Sequence, residues 1–516
     1  MTTIAEIWSN HGRTARWHQL WIEHMQLQNA DPATVERYQR VADAYGDVDY
    51  PSAIDVNTAN GMQTTRHEVV AALEAFNFTA GADSAHTGLA SSDIVDVVTQ
   101  SQITDSLVVV IDHACRVAGR LRQLMVDYQR IPLVARTHGR PAQLTTWGHR
   151  QATVLSPLLD WIDRAWDTLN SYPMRPPSGA VGTTADLGRV VGRSSAATKV
   201  SRDSLEATTS VSDPSEAVGI VVDVSSPEGP RIVGGSGPLD LYGSELMAKL
   251  GFNGMMDASR QVYHRSYDVH VASLLSGLAS IAQTWANDRR LEALSGLGNE
   301  THLTEQSASS SMPSKENPRF SERIVALSVV TRSHLGAVAE MAGMEWLEGD
   351  VSTSAARKLI LPAMFQNIDD ILANWFYVAG LWQVDEWALK QEVHIHRYEW
   401  ASAEIMHRLV LGGVGRSDAH RYLREAWART RAAQLGGPVR DQNERFEVAL
   451  GGVMSEQALS PLGGVMLTRE WLRRVIAEMM EAPIGNVADQ IDWLDRRAYK
   501  TLEMVPDTDW EPEIAP

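Results

Sequence analysis

Residues 103–125 read ITDSLVVVIDHACRVAGRLRQLM. Ile103, Leu107, Val110, Ile111, Ala114, Val117, Leu121, Leu124 and Met125 recur at spacings of three and four. That period puts them on one stripe of an α-helix for more than five turns. Four further segments repeat the pattern. One carries Val154, Leu155, Leu158, Ile162, Ala165, Trp166 and Leu169, and another carries Leu274, Leu275, Leu278, Ile281, Ala282 and Trp285. A third runs from Ile324 through Leu327 and Leu335 to Val338. The last holds Leu359, Ile360, Ala363, Ile368, Ile371, Leu372 and Trp375, with Pro362 expected to bend it. Five long amphipathic segments, with no convincing alternating strand between most of them, predict an all-α bundle. Helices of this length bury only one stripe inside their own chain, so the remaining apolar residues predict a homo-oligomer.

The chain has 516 residues, enough for more than one domain. Lys and Arg number 46 against 64 Asp and Glu, a formal charge of −18 that disfavours nucleic acid or an anionic membrane as partner. The one cysteine, Cys115, excludes an internal disulfide and reads as a buried core thiol. No basic leader with an apolar core and no unbroken apolar run of ~18 residues is present, which predicts a cytoplasmic protein. Sixteen Trp against seven Phe is an unusual ratio. Residues 189–237, rich in Gly, Ser, Pro and Val, read as a loop insertion holding a short hairpin. The acidic, proline-rich tail VPDTDWEPEIAP is expected to be poorly ordered.

Four polar islands interrupt the helical pattern, each at a segment end. They are SAHTGLASSDIVD with His86, Ser91, Ser92 and Asp93; ARTHGRPAQLTTWG with Arg136, Thr137, His138 and Arg140; SASSSMPSKENP at 307–318; and EWLEGDVSTSAARKLILP with Ser354, Arg357 and Lys358. Each alone has a plain explanation: a helix N-cap, an ordinary loop, a flexible serine-rich linker. Together, and in this order, they resemble the fumarase/aspartase superfamily, and within it the adenylosuccinate lyases. The most specific match is Ser309-Ser310-Ser311-Met312-Pro313-Ser314-Lys315-Glu316-Asn317, continuing through Pro318 to Ser321-Glu322. TRHEVVAALEAF at 65–76, HTGLASSD at 86–93, RTHGRPA at 136–142 and SGAVGTTA at 178–185 add to it. The resemblance spans roughly residues 5–375 apart from the insertion.

The resemblance implies an all-α, three-domain subunit: 1–108, a central helical bundle over 109–378, and 379–516. It implies a homotetramer in which islands from three subunits build each active site, a small dicarboxylate substrate, and no cofactor or metal. Such enzymes take a proton from the carbon beside a carboxylate and expel a group from the next carbon, giving fumarate. The resulting aci-carboxylate must be met by a cation and hydrogen-bond donors, a task that suits Lys315 and Asn317. By the same carry-over Ser309 is the base, with Ser310 and Ser311 as register alternatives, acting as an alkoxide on a loop that closes over the substrate. His138 is then the general acid, paired with Glu322. Thr137, Ser91 and Arg265 hold substrate carboxylates, and His86 matches a site histidine.

The departures lie where relatives grip a nucleotide phosphate. No Arg-Tyr pair stands ahead of Trp8, Gly349 replaces an arginine, Ser354 is kept, and Lys358 stands where an arginine is usual. Ala90-Ser91 replaces Thr-Ser, Arg140 often is glutamine, and Ala308 replaces glycine. The succinyl half is kept and the nucleotide half eroded, which predicts a C–N lyase with a small leaving group, such as nitrous acid from nitrosuccinate. A true adenylosuccinate lyase, a carboxymuconate-cycloisomerase-like isomerase and a non-catalytic helical scaffold are the alternatives.

Overall fold

The computed structural model describes residues 2–47, 55–58, 61–64, 67–191, 221–223, 231–233, 238–301, 312, 315–434, 441–456 and 469–503. The chain forms two compact units. Unit 1 comprises residues 1–113, 161–280 and 326–372; unit 2 comprises 114–160, 281–325 and 373–516. The architecture is all-α, as the helical periodicity predicts.

The N-terminal helices are α1 (Ile4–Trp8), α2 (Asn10–Leu27), α3 (Pro32–Asp43) and α4 (Glu68–Ala80). Local chemistry fixes their ends. Thr3 and Glu6 form a reciprocal capping box, and Asp31 caps α3 ahead of Pro32. Gly81 ends α4 at φ 63°, a left-handed position that favours glycine. Each of the five periodic segments lies in a long helix: α5 (Ser91–Asp127), α6 (Trp147–Ser171), α8 (Ser266–Leu294), α9 (Arg319–Gly343) and α10 (Ser354–Leu381). The short α7 (Pro238–Lys249) precedes α8. Helix α10 runs on through Pro362 as one element. Cys115 is buried in α5, as predicted. Among the described residues, seven helices, α11 to α17, follow between Glu386 and Leu502.

Among the described residues, strand is confined to four two-stranded antiparallel pieces. These are β1–β2 (Asp55–Thr58, Gly61–Thr64), β3–β4 (Pro132–Thr137, Arg140–Thr146), β5–β6 (Val221–Asp223, Arg231–Val233) and β7–β8 (Gly298–Glu300, Trp382–Val384). The β5–β6 pair is the short hairpin expected within 189–237; the tail from 504 lies outside the described residues.

In unit 1, Trp17, Trp21, Tyr38 and Phe76 are fully buried, and His18 stacks on Phe76 with ring centroids 4.0 Å apart. In unit 2 the helices after Glu386 close on Tyr398, Trp400, Phe446 and Val475, with Val134 of β3 in the same cluster. Fully burying side chains of this kind contributes roughly 1.5–3 kcal/mol each. Some of the tryptophans are tied into the fold through their ring nitrogens, whereas the buried indole N–H groups of Trp17, Trp166, Trp375 and Trp382 have no hydrogen-bond partner among the described residues. Indole N–H groups hydrogen-bond inside the fold: Trp8 to Ser106, Trp21 to His86, Trp161 to the Leu274 carbonyl, Trp285 to Gln151 and Trp400 to the Val393 carbonyl. Phenylalanine has no such donor. In unit 2 the Arg289 guanidinium, fully buried, lies 4.7, 5.3 and 5.2 Å from the rings of Trp147, Trp285 and Trp382. One Arg289 nitrogen donates to Glu292 at 2.8 Å. Its other N–H groups find no oxygen and are met by aromatic faces instead.

Candidate active site

Unit 1 holds the first and fourth islands. Asp93, in the first turn of α5, is 0% exposed. It accepts from the backbone N–H of Ala90 at 2.7 Å, reaching back as an N-terminal cap. The same carboxylate accepts from Ser178 N at 2.9 Å and Gly179 N at 3.2 Å, and pairs with Arg175 at 2.8 Å. It therefore ties the SGAVGTTA loop to the start of α5 and fixes the turn carrying Ser91, which is half-buried.

One turn on, Asp96 accepts from Tyr263 N and from Arg265, both at 3.0 Å, and pairs with Arg357 of α10 at 3.5 Å. Arg357 also donates to Asp268 of α8 at 2.7 Å and to the Tyr263 hydroxyl at 2.5 Å. Arg265 adds Glu345 at 3.3 Å. Burial works against the charge of both arginines, but Asp96 beside Arg265 and Asp268 beside Arg357 outweigh it and hold them above the ordinary guanidinium range. Arg265, expected to hold a substrate carboxylate, is thus 5% exposed and engaged by two carboxylates of its own chain. The acid pair Asp93/Asp96 at i, i+3 in an apolar helix was the signal in the sequence for this network.

His86 is half-buried and accepts at Nδ1 from Trp21 Nε1 at 3.0 Å. That bond fixes the tautomer, leaving Nε2–H as a donor. Burial lowers its proton affinity, against the opposing pull of Asp93. Ser354 opens α10 half-buried; Lys358, one turn later, is exposed and pairs with Glu68. Gly349 lies under Gln261, and a Cβ built there would meet the Gln261 side-chain oxygen at 2.2 Å. An arginine at this position therefore requires Gln261 to move.

Unit 2 holds the second and third islands. RTHGRPA, which alone reads as an ordinary loop, forms a β-hairpin. Thr137 pairs with Arg140, and the two-residue turn His138-Gly139 has φ 52° and 72°. Both values are positive, as a type I′ turn requires. The His-Gly dipeptide was the available signal, since histidine tolerates left-handed backbone better than most residues. His138 stands exposed at the tip, with Thr137 and Arg140 exposed beside it. An ion pair from Arg136 to the buried Glu392 of α11 (Glu386–Ile395) anchors the hairpin.

The third island is held by its two feet. Glu300 of β7 accepts from the N-terminal groups of α9, Phe320 N at 3.1 Å, Ser321 N at 2.9 Å and Ser321 Oγ at 2.5 Å. A carboxylate at a helix N-terminus satisfies orphan donors and the helix dipole together. Asn299 bonds Glu316, and Thr301 donates to the Leu381 carbonyl at 2.7 Å. Lys315 and Glu322 are exposed and Asn317 half-buried. Ser309, with its neighbours Ser310 and Ser311, lies outside the described residues. Among the described residues, the side chains of His138, Lys315, Asn317 and Glu322 form no hydrogen bond or ion pair, and His138 and Glu322 are not joined. No group of three or more His, Cys, Asp or Glu among them is arranged to hold a metal ion.

The family model described as "Lyase" matches residues 5–218. Adenylosuccinate lyase of Saccharomyces cerevisiae is 24% identical over 82% of this chain and 79% of its own length. That of Archaeoglobus fulgidus is 25% identical over 70% of each. The crystal structure of 3-carboxy-cis,cis-muconate lactonizing enzyme from Pseudomonas putida superposes with a TM-score of 0.71 at 19% identity, covering 96% of this chain and 97% of that one. With the ordered islands on this helical frame, the chain is similar to the lyases of the fumarase/aspartase superfamily, the adenylosuccinate lyases among them.

Proposed function

We propose that the protein is a cytoplasmic carbon–nitrogen lyase that eliminates a small nitrogen leaving group from a substituted succinate, releasing fumarate. One observation carries the reading. His138, Lys315, Asn317 and Glu322 keep their side chains uncommitted among the described residues, while the buried charges of unit 1 are paired. Polar groups left unspent in a fold that pairs its interior charges are groups kept for a ligand.

In the proposed reaction, the Ser309 alkoxide takes the proton from the carbon beside a carboxylate. Negative charge spreads into that carboxylate and is met by the Lys315 ammonium and the Asn317 amide. The bond from the adjacent carbon to nitrogen then breaks, with His138 delivering a proton to the departing group and Glu322 supporting the histidine. Thr137, Ser91, His86 and Arg140 bind substrate; Arg265 acts through its ion network. Three domains with boundaries near 108 and 378 and a homotetramer with shared sites belong to the same proposal. The residues on exposed surfaces, such as the hairpin tip, are completed by other copies. The uncovered apolar face of α9, with Val329 52% and Val330 43% exposed, fits such an assembly. A small leaving group, nitrous acid from nitrosuccinate being the specific candidate, is favoured by Gly349 under Gln261 and by Lys358 in the place of an arginine.

The test offers purified protein nitrosuccinate, adenylosuccinate, argininosuccinate and aspartate while fumarate absorbance is followed. Fumarate from nitrosuccinate in preference to adenylosuccinate is expected, and Ser309→Ala should lower kcat by ~1,000-fold or more. No fumarate from any of the four overturns the reading. Ring-closing isomerisation, suggested by the fold of the lactonizing enzyme alone, predicts turnover of a carboxymuconate instead. A scaffold predicts that Ser309→Ala changes nothing.

A further inference from the structure

Three elements of unit 1 meet at one carboxylate. Glu68, the first residue of α4, accepts at Oε1 from Arg13 of α2 and at Oε2 from Lys358 of α10. The side chains are 22% (Arg13), 29% (Glu68) and 42% (Lys358) exposed, so solvent and ligands reach the group. Arg13 is further held by Asn10 at 3.1 Å and lies 5.4 Å over the Trp17 ring. Two cations converging from different helices are the usual apparatus for binding an anion of more than one charge. Here an internal carboxylate occupies it, using both of its oxygens.

We propose that Glu68 is a specificity-determining residue that stands in for an external anion and excludes phosphorylated leaving groups. The inference rests on the proposed function in one respect: Ser354 and Lys358, one helical turn apart, face the leaving group. A phosphate dianion arriving there finds one Arg13 nitrogen and the Lys358 ammonium already paired with a carboxylate, and a like charge in contact with them. Gly349, whose Cβ space Gln261 fills, offers no third cation. An uncharged or small leaving group needs none of these donors and meets no such opposition. The substrate class that follows is unphosphorylated substituted succinates.

The experiment uses inorganic phosphate as probe on the full-length protein, with ionic strength held constant by chloride so that general screening is equal. The Tm of the wild type is expected to show no phosphate-dependent rise at millimolar concentrations. Glu68→Gln, which keeps the shape and removes the charge, is expected to gain a saturable rise of several degrees. Glu68→Ala should behave alike, and adding Lys358→Met to Glu68→Gln should abolish the gain. In turnover, Glu68→Gln should raise the kcat/KM of adenylosuccinate relative to nitrosuccinate at least tenfold. A wild type that binds phosphate as strongly as Glu68→Gln, or charge-neutral variants that gain no phosphate binding, overturns the proposal. If no substrate yields fumarate, the elimination reading fails, yet the phosphate titration still decides what Glu68 does.

Discussion

Helices α5 and α9 each carry an eighteen-residue window apolar enough, by length and composition, to cross a bilayer, yet 67% of the first window is buried and only 28% of the second. In α5 the apolar stripe is covered by the chain itself: Leu107, Val110, Ala114, Val117 and Leu121 are 0% exposed. In α9, Ile324 and Val338 are covered while Val329 and Val330 stand open. Periodicity dictates that both are helices, because it reports the spacing of apolar groups along one backbone. It does not dictate whose residues cover them. The same pattern serves a helix whose stripe is covered by its own chain and a helix whose apolar residues stay open in the single chain.

The widest separation between the two helices should come from charge. Val329→Glu with Val330→Glu is expected to leave the circular dichroism spectrum unchanged, reduce the mass seen by light scattering to that of one chain, and take fumarate release below detection. A double variant of unchanged mass and activity would break the comparison. On the α5 side, Asp96→Ala strands Arg265 and Arg357 without one of their carboxylates, and denaturant unfolding should show a loss of ~3–5 kcal/mol. Leu107→Ala, deep in the same helix, should cost ~2–5 kcal/mol in the same assay, against less than ~0.5 kcal/mol for Val330→Ala in the dissociated chain.

A further effect, set by pH and partial above pH 4, is acid lability of the closed interior. Burial pushes His18 and His24 down to about 4 from 6.5. Both are therefore neutral in the fold, and the unfolded chain binds more protons between those values. Stability from this source is complete above about pH 6.5, falls as the pH drops toward 4, and is flat below. The limit is roughly 3 kcal/mol per histidine. Denaturation midpoints at pH 7.5 and 5 should converge in His24→Gln relative to wild type; equal pH dependence in both would remove His24 from the account.

The same contrast separates what could be read in the sequence from what could not. The five long helices, the burial of Cys115 and the position of each polar island at a helix end follow from spacing within one segment, and all were legible. The His138 hairpin was missed because its strands are short and its turn lacks the usual asparagine or aspartate before glycine. Nothing local to Arg265 announces its partners Asp96, 169 residues earlier, and Glu345, 80 later. Glu300 capping α9 across the third island, and Glu68 joining Arg13 to Lys358, are pairings of the same long-range kind. Local periodicity is a property of neighbours; charge neutralisation in an interior is a property of the finished fold.

Arg289, enclosed by three indoles in unit 2, has an optical consequence. Tryptophan emission depends on whether the ring is dry and on which charges lie within a few ångströms. Trp147, Trp285 and Trp382 share one guanidinium in a site closed to solvent, so their light should shift as a group when that enclosure opens. The protein thus carries a built-in fluorophore cluster whose colour reports the state of this half of the chain, with no label attached.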